Sequence, residues 1–317
     1  LIIRRFGVQV PVGPHMSSHS YIENSKNQEI YININGKLFH RSEAKISVFD
    51  SGFLLGDGVW EGIRLHESKL LFIDEHLDRL FSSAKGISIN ISLKKEDIIS
   101  EIKKVLIKNN MQDDVHIRLI ISRGDKITPY QNPNANVGPI NFVIIPEFKK
   151  TNPNVYKNGI TIGRVKIIRP SDDILSTHYN TLSKLNCIIA SIEANKLNYD
   201  EGIMNDPLGN ISTCNSTNLF FIKNEQVWTS TGKFCLNGIT RSKALLVCKN
   251  SRIPYKEANF TFEDIKNCEE AFVTGTFAGI IPVSKIEQRN LVSTNKESLT
   301  NKIRFLYNKH VLEYINT

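Results

Sequence analysis

Residues 49–87 read FDSGFLLGDGVWEGIRLHESKLLFIDEHLDRLFSSAKGI, and three patterns follow one another within them. Glycines 52, 56, 58 and 62 interrupt an apolar run, and a turn falls at His66 to Lys69. The acidic start of DEHLDRL then introduces Leu77, Leu80 and Phe81 at helical spacing before Lys85-Gly86. The glycines are either plain strand bends or places where backbones approach closely or φ is positive. The middle of the stretch predicts a hairpin and its last third a capped amphipathic helix. A hairpin followed by a helix, without strand-helix-strand alternation, points to an α+β fold.

The flanks extend that reading. Upstream, YININGKLF (31–39) alternates with period two around the hairpin turn Asn35-Gly36. Downstream, a helix is expected over 95–109 and strands in VHIRLIISRGD (115–125) and NFVIIPEF (141–148). KKTNPNVYKNG (149–159) is a polar break with a proline and a glycine. Beyond it, TIGRVKII, EGIMND, NLFFIKN, QVWTST and AFVTGT read as strands. Helices are expected up to about Lys196, from Thr240 to Lys249 and from Lys296 to Tyr314. The chain therefore divides into a small α+β domain at 29–150 and a large α+β domain at 151–317, with the linker near 148–158. The opening LIIRRFGVQVPVGPHM lacks an initiator Met and a signal-peptide core and ends like a cloning scar. Residues 1–28 are expected to be a tag or disordered segment, with Met16 as the natural start.

Composition narrows the function. A chain of 317 residues, 40% hydrophobic and 23% charged, can bury a sizeable core. Its formal charge of +8 comes from scattered residues with no basic block, which favours anionic small molecules over nucleic acid. Five cysteines without a CxxC pair fit reduced thiols in the cytoplasm. No apolar run is long enough to span a membrane. His76, His116 and His178 lack metal-ligand spacing, so no metal is expected, and neither a Walker A nor a GxGxxG signature follows a strand.

Three features point to an anion held by backbone and hydroxyls. LNGITRSKALL places Gly238, Ile239 and Thr240 at a helix start, where free N–H groups and the helix dipole favour a phosphate. TGTFAGIIPV supplies Thr274 and Thr276 at a strand end, and Arg79 lies on DEHLDRL. Each taken singly has an ordinary reading, as a helix cap, a strand end or a solvated arginine.

Taken in order, the stretch 49–87, IRLIISRGD, HYNTLSKLNCIIASIEA (178–194), DEGIMNDPLGNISTCNSTNLFFI (200–222), LNGITR and TGTFAGIIPV resemble the class IV pyridoxal-phosphate aminotransferases, over about residues 30 to 285. That family contains branched-chain and D-amino-acid aminotransferases and 4-amino-4-deoxychorismate lyases. The resemblance implies a two-domain fold with pyridoxal 5'-phosphate in the interdomain cleft. Arg79, Ile239, Thr240 and Thr276 would touch its phosphate, and in a homodimer the neighbouring small domain would help close the site. WEGIRL looks most like the branched-chain branch, and RLIISRGD is closer to the other two.

Two positions depart from the family pattern. The family's catalytic lysine ends a strand and is followed on the next helix by a Glu-Ala pair; aligned without gaps on Glu193-Ala194, its position is Asn180. Asparagine cannot form a Schiff base. Lys184 lies four residues on, about one turn if the segment is helical. Aligning Lys184 itself on the family lysine deletes four helix residues and yields the same nucleophile, so Lys184 is the expected aldimine lysine, with Asn180 beside the cofactor. The second departure is Thr213, where the family carries a glutamate against the pyridine nitrogen. A hydroxyl supplies no negative charge there, which weakens the ring as an electron sink.

The substrate carboxylate calls for a cationic pocket, for which Arg64, Arg118 and Arg123 are candidates. Leu55 stands where branched-chain members often have a tyrosine. The leading expectation is amino-group transfer from an amino acid or amine to a 2-oxo acid. The alternatives are a lyase of the aminodeoxychorismate type and a cofactor-binding homologue without catalysis.

Overall fold

The computed structural model describes residues 17–317. The first half builds a six-stranded, wholly antiparallel sheet from β1 (Tyr31–Ile34), β2 (Lys37–His40), β3 (Gly58–His66), β4 (Lys69–Leu70), β5 (Val115–Ser122) and β6 (Asn141–Phe148), in the order β2-β1-β6-β5-β3-β4. Asn35 and Gly36, both at positive φ, close the β1–β2 hairpin, as a two-residue turn matched to strand twist requires. A short helix α1 (Ser51–Leu55) precedes β3.

Helices α2 (Ile73–Gly86) and α3 (Lys95–Lys108) cover one face of this sheet. Leu77, Leu80 and Ala84 of α2 and Ile98, Ile102 and Val105 of α3 pack with Val59, Ile63, Ile117 and Leu119 in one core. The start of α2 differs from the expected cap: Phe72 precedes it in the left-handed region without a side-chain hydrogen bond. Asp74 and Glu75 in the first turn act through the helix dipole instead.

The second half forms a nine-stranded mixed sheet. Its strands are β7 (Ile160–Arg164), β8 (Glu201–Asn205), β9 (Ile211–Cys214), β10 (Asn218–Lys223), β11 (Gln226–Thr229), β12 (Tyr255–Glu257), β13 (Glu270–Gly275), β14 (Gly279–Ile286) and β15 (Arg289–Asn290). The order is β9-β8-β7-β14-β13-β10-β11-β12, with β15 on β14. The pairs β7–β8, β7–β14 and β11–β12 are parallel. Helices α4 (Leu185–Lys196), α5 (Ile239–Asn250) and α6 (Leu299–Ile315) pack on it. One core fills the side of Phe221, Phe260 and Ile281, and another the side of Phe220, Phe272, Ala244 and Ile303.

Part of the expected N-terminal tail belongs to the fold. Residues 1–16 lie outside the described residues, but Tyr21–Ile22 pairs with Lys150–Thr151, and Asn27 exchanges hydrogen bonds with the backbone of Phe148 at 2.8 and 2.9 Å. Ser18 is buried and donates to the Glu201 carboxylate. These polar, low-hydrophobicity residues hold on through hydrogen bonds, which periodicity does not register. No helix among the described residues is long and apolar enough to cross a membrane.

Candidate active site

Between the two sheets lies a cavity of about 350 Å³ whose wall includes Arg79, Asn180, Lys184, Thr213, Ile239, Thr240 and Thr276. All the expected catalytic and cofactor-binding positions thus meet in one place, although they come from well-separated segments of the chain.

The approach to Lys184 is fixed by the small sheet. Trp60 N–H donates to Asn180 O at 3.0 Å, Leu182 N–H donates to Gly58 O at 2.9 Å, and Val59 bridges Thr181. Residues 180–182 therefore run as a short extra strand along β3. Gly58 makes this approach possible, because a Cβ there would stand 2.6 Å from Leu182 Cδ1 and 2.5 Å from Ile121 O. Gly56, at φ +68°, ends α1 against Ser183. The chain enters α4 only at Leu185, so Asn180 and Lys184 are not one helical turn apart as their spacing suggests. The lysine side chain reaches back instead: Nζ donates to Asn180 Oδ1 at 3.1 Å, and Asn180 Nδ2 donates to Trp60 O at 2.7 Å.

Lys184 is an unusual amine. Burial lowers its pKa from 10.5 to about 8, with Arg169 and Arg79 adding to the depression and Cys187 and Glu61 opposing it. At neutral pH a usable fraction is unprotonated and nucleophilic.

Arg79 closes the other wall. It clasps the buried Glu61 through Nε at 2.8 Å and Nη2 at 2.7 Å, while Nη1 donates to Asn237 O at 3.0 Å, just ahead of α5. Burial alone would raise the Glu61 carboxyl; the Arg79 guanidinium and the His76 hydrogen bond outweigh it and hold the pKa below the usual range. Gly238 caps α5 without a side-chain hydrogen bond. Asn218 Nδ2 donates to Leu236 O at 2.9 Å and holds the loop before it. The first-turn N–H groups of α5 therefore meet the cavity without a capping side chain, and Thr274 on the same wall buries a hydroxyl that has no partner among the described residues. Free helix amides, an arginine and an orphaned hydroxyl fit a phosphate ester. Thr213 donates from Oγ1 to Thr217 O at 2.7 Å, which leaves its oxygen lone pairs free to accept a ring N–H.

The substrate candidates separate. Arg118 lines the cavity, 3.9 Å over the Trp60 ring. Arg64 does not; it is bound to Asp114 Oδ1 at 2.7 Å and Lys149 O at 2.6 Å. Arg123 forks onto Asp57 at 2.7 and 2.9 Å and onto the carbonyls of Ile87 and Ser88. Leu55 stands exposed at the end of α1, outside the cavity wall. Arg64 and Arg123 thus stand outside the cavity wall, tied to the carboxylates of Asp114 and Asp57 and to backbone carbonyls. Trp60, His19, His116, Lys149, Arg169, Cys187 and Phe277 also line the cavity, and none of them is a site candidate on sequence grounds. For Trp60, Gly62, His116 and Arg118 a signal exists: period two puts them on one sheet face, and Gly62 pairs directly with Arg118.

This fold is that of a known class. Residues 58–286 match the amino-transferase class IV family, and the chain belongs to it. The branched-chain-amino-acid aminotransferase-like protein 2 of Arabidopsis thaliana is 34% identical over 90% of this chain and 51% of its own length. The chain thus spans about half the length of that curated relative. A putative branched-chain-amino-acid aminotransferase of Methanocaldococcus jannaschii is 34% identical over 86% of this chain and 93% of its own. Among solved structures, the branched-chain aminotransferase of Thermoproteus uzoniensis crystallised with norvaline superposes with a TM-score of 0.80 at 25% identity, covering 90% of this chain and 95% of that one.

Proposed function

We propose that the chain transfers an amino group between an amino acid or amine and a 2-oxo acid, with pyridoxal 5'-phosphate as cofactor and Lys184 as its amine. The observation that carries this is the Lys184 amine held inside the cavity at 3.1 Å from Asn180 Oδ1, with its pKa lowered to about 8. Pyridoxal phosphate supplies an aldehyde that condenses with amines and a ring that accepts the electron pair left on the substrate α-carbon.

The protein's residues do the rest. Arg79, the N–H groups of Ile239 and Thr240, and Thr276 would hold the phosphate, and Thr213 would accept a ring N–H without adding charge. As a neutral amine Lys184 would hold the cofactor's aldehyde and, when free, would carry a proton to and from the substrate α-carbon. Asn180 orients it.

Exposed apolar residues support a homodimer: Val48, Phe49, Phe53 and Leu55 near α1, and Leu185, Ile188, Ile189 and Ile192 along one face of α4. Five free cysteines among the described residues support a reducing, cytoplasmic setting.

Protein loaded with pyridoxal phosphate and offered amino acids should turn over only with a 2-oxo acid, consuming the two in equal amounts. Turnover without an acceptor would mark a lyase. A retained cofactor spectrum with no α-hydrogen exchange in deuterium oxide, for any amino acid tried, would mark a binding protein without chemistry.

A further inference from the structure

One wall of the cavity is more basic than the proposed reaction requires. Phe277 sits at its centre: Lys149 Nζ lies 5.0 Å from the ring centroid, and the rings of His116 and His19 lie 5.8 and 6.3 Å away. Arg118 faces the same space from its stack on Trp60. Among the described residues neither Lys149 nor Arg118 forms an ion pair. Glu147 is the carboxylate that both feel, and its own ion-pair contact is with Arg41 at 4.0 Å. Gly62 leaves room for the imidazole, since a Cβ there would stand 3.1 Å from His116 Nε2.

Two cations without a carboxylate partner in a partly desolvated wall are costly unless a ligand supplies the counter-charge. Burial, with Lys149 and Arg118 alongside, keeps His19 and His116 neutral well below their ordinary pKa, to about 4 for His19. They therefore add N–H donors and no further repulsion. A branched aliphatic side chain in this space would leave Lys149 and Arg118 desolvated and unpaired.

We propose that Lys149 is a specificity-determining residue, which together with His116 and Arg118 makes this cavity select substrates whose side chain ends in a carboxylate and reject branched aliphatic ones. The proposal rests on the aminotransferase reading above. A lysine that served only the α-carboxylate, common to all amino acids, would not discriminate between side chains.

The test uses two unreactive acids, glutarate and 4-methylpentanoate, titrated calorimetrically into the cofactor-loaded protein, and the amino-donor half-reaction with glutamate and leucine. Wild type should bind glutarate at least tenfold more tightly and favour glutamate to a similar degree. Lys149→Met should remove that preference by weakening glutarate alone, and Lys149→Arg should restore it. Equal affinity for the two acids in wild type, or equal weakening of both by Lys149→Met, overturns the proposal. Absence of a half-reaction with every amino acid, while glutarate still binds selectively, would count against the aminotransferase reading and leave the anion preference standing.

Discussion

Lys184 Nζ donates to Asn180 Oδ1 at 3.1 Å, and the same asparagine donates from Nδ2 to Trp60 O at 2.7 Å. Its amide is thus bonded at both ends, and the residue is only 1% exposed. A buried amide satisfied on both sides has its orientation fixed, so Asn180 transmits the position of β3 to the amine four residues on. Asn180 runs beside β3, and Lys184 stands one residue before the first residue of α4.

Asn180→Ala removes both hydrogen bonds and should cost about 1–3 kcal/mol of stability while slowing capture of pyridoxal phosphate. Asn180→Lys in a Lys184→Ala background should restore the capture that Lys184→Ala alone loses. Absorbance of the covalently bound cofactor checks both, and failure of the double variant to recover it would mean that position 180 does not face the aldehyde.

The depressed amine makes stability depend on pH. Since its folded pKa of about 8 lies below the ordinary 10.5, the unfolded chain holds more protons between those values, and stability rises with pH there. The contribution of the neutral amine is complete above 10.5 and is lost as pH falls through about 8. Cofactor-free Lys184→Met should therefore be more stable than wild type at about pH 7, and the gap should close towards about pH 10. Urea melts at a series of pH values measure it; a gap that stays constant would place the titration elsewhere.

Thr213→Glu puts a carboxylate where a hydroxyl now donates to Thr217 O. It should hold the ring nitrogen protonated to higher pH, moving the midpoint of the bound cofactor's spectral titration up by on the order of one unit or more. An unmoved midpoint would remove Thr213 from the ring nitrogen.

Arg79→Ala breaks three hydrogen bonds and leaves Glu61 with only His76. Cofactor affinity should fall about ten- to a hundredfold, as expected for lost hydrogen bonds to a charged group. Stability should fall by about 3–5 kcal/mol from the uncompensated buried carboxylate. Adding Glu61→Gln should recover much of the stability and none of the affinity; equilibrium dialysis and melting curves separate the two.

Much of the architecture is legible in the amino-acid sequence. Leu77 and Leu80 fall at helical spacing, Asn35-Gly36 prescribes its hairpin, and Gly238-Ile239-Thr240 marks the start of α5; each is a local pattern with a local cause. The geometry at Lys184 is not legible there, because the start of α4 at Leu185 depends on β3 capturing residues 180–182 in an extended bridge. The placement of Arg64 and Arg123 is hidden for a similar reason. Their partners, Asp114 and Asp57, lie 50 and 66 residues away in sequence, and an arginine's type says nothing about which carboxylate it meets. Ser18 and His19 escape a sequence reading because a polar segment joined to the fold by hydrogen bonds looks like a tail. Lys149 belongs to a polar stretch with the composition of a linker, yet it follows β6 directly and reaches the cavity wall.

We propose Lys184 as the amine that binds the cofactor aldehyde. Incubating the protein with pyridoxal 5'-phosphate, reducing with borohydride and mapping the labelled peptide tests it directly. One reduced adduct on Lys184, absent from Lys184→Ala, is the expected result. A label on another lysine, or none on a protein that still retains the cofactor, would contradict it.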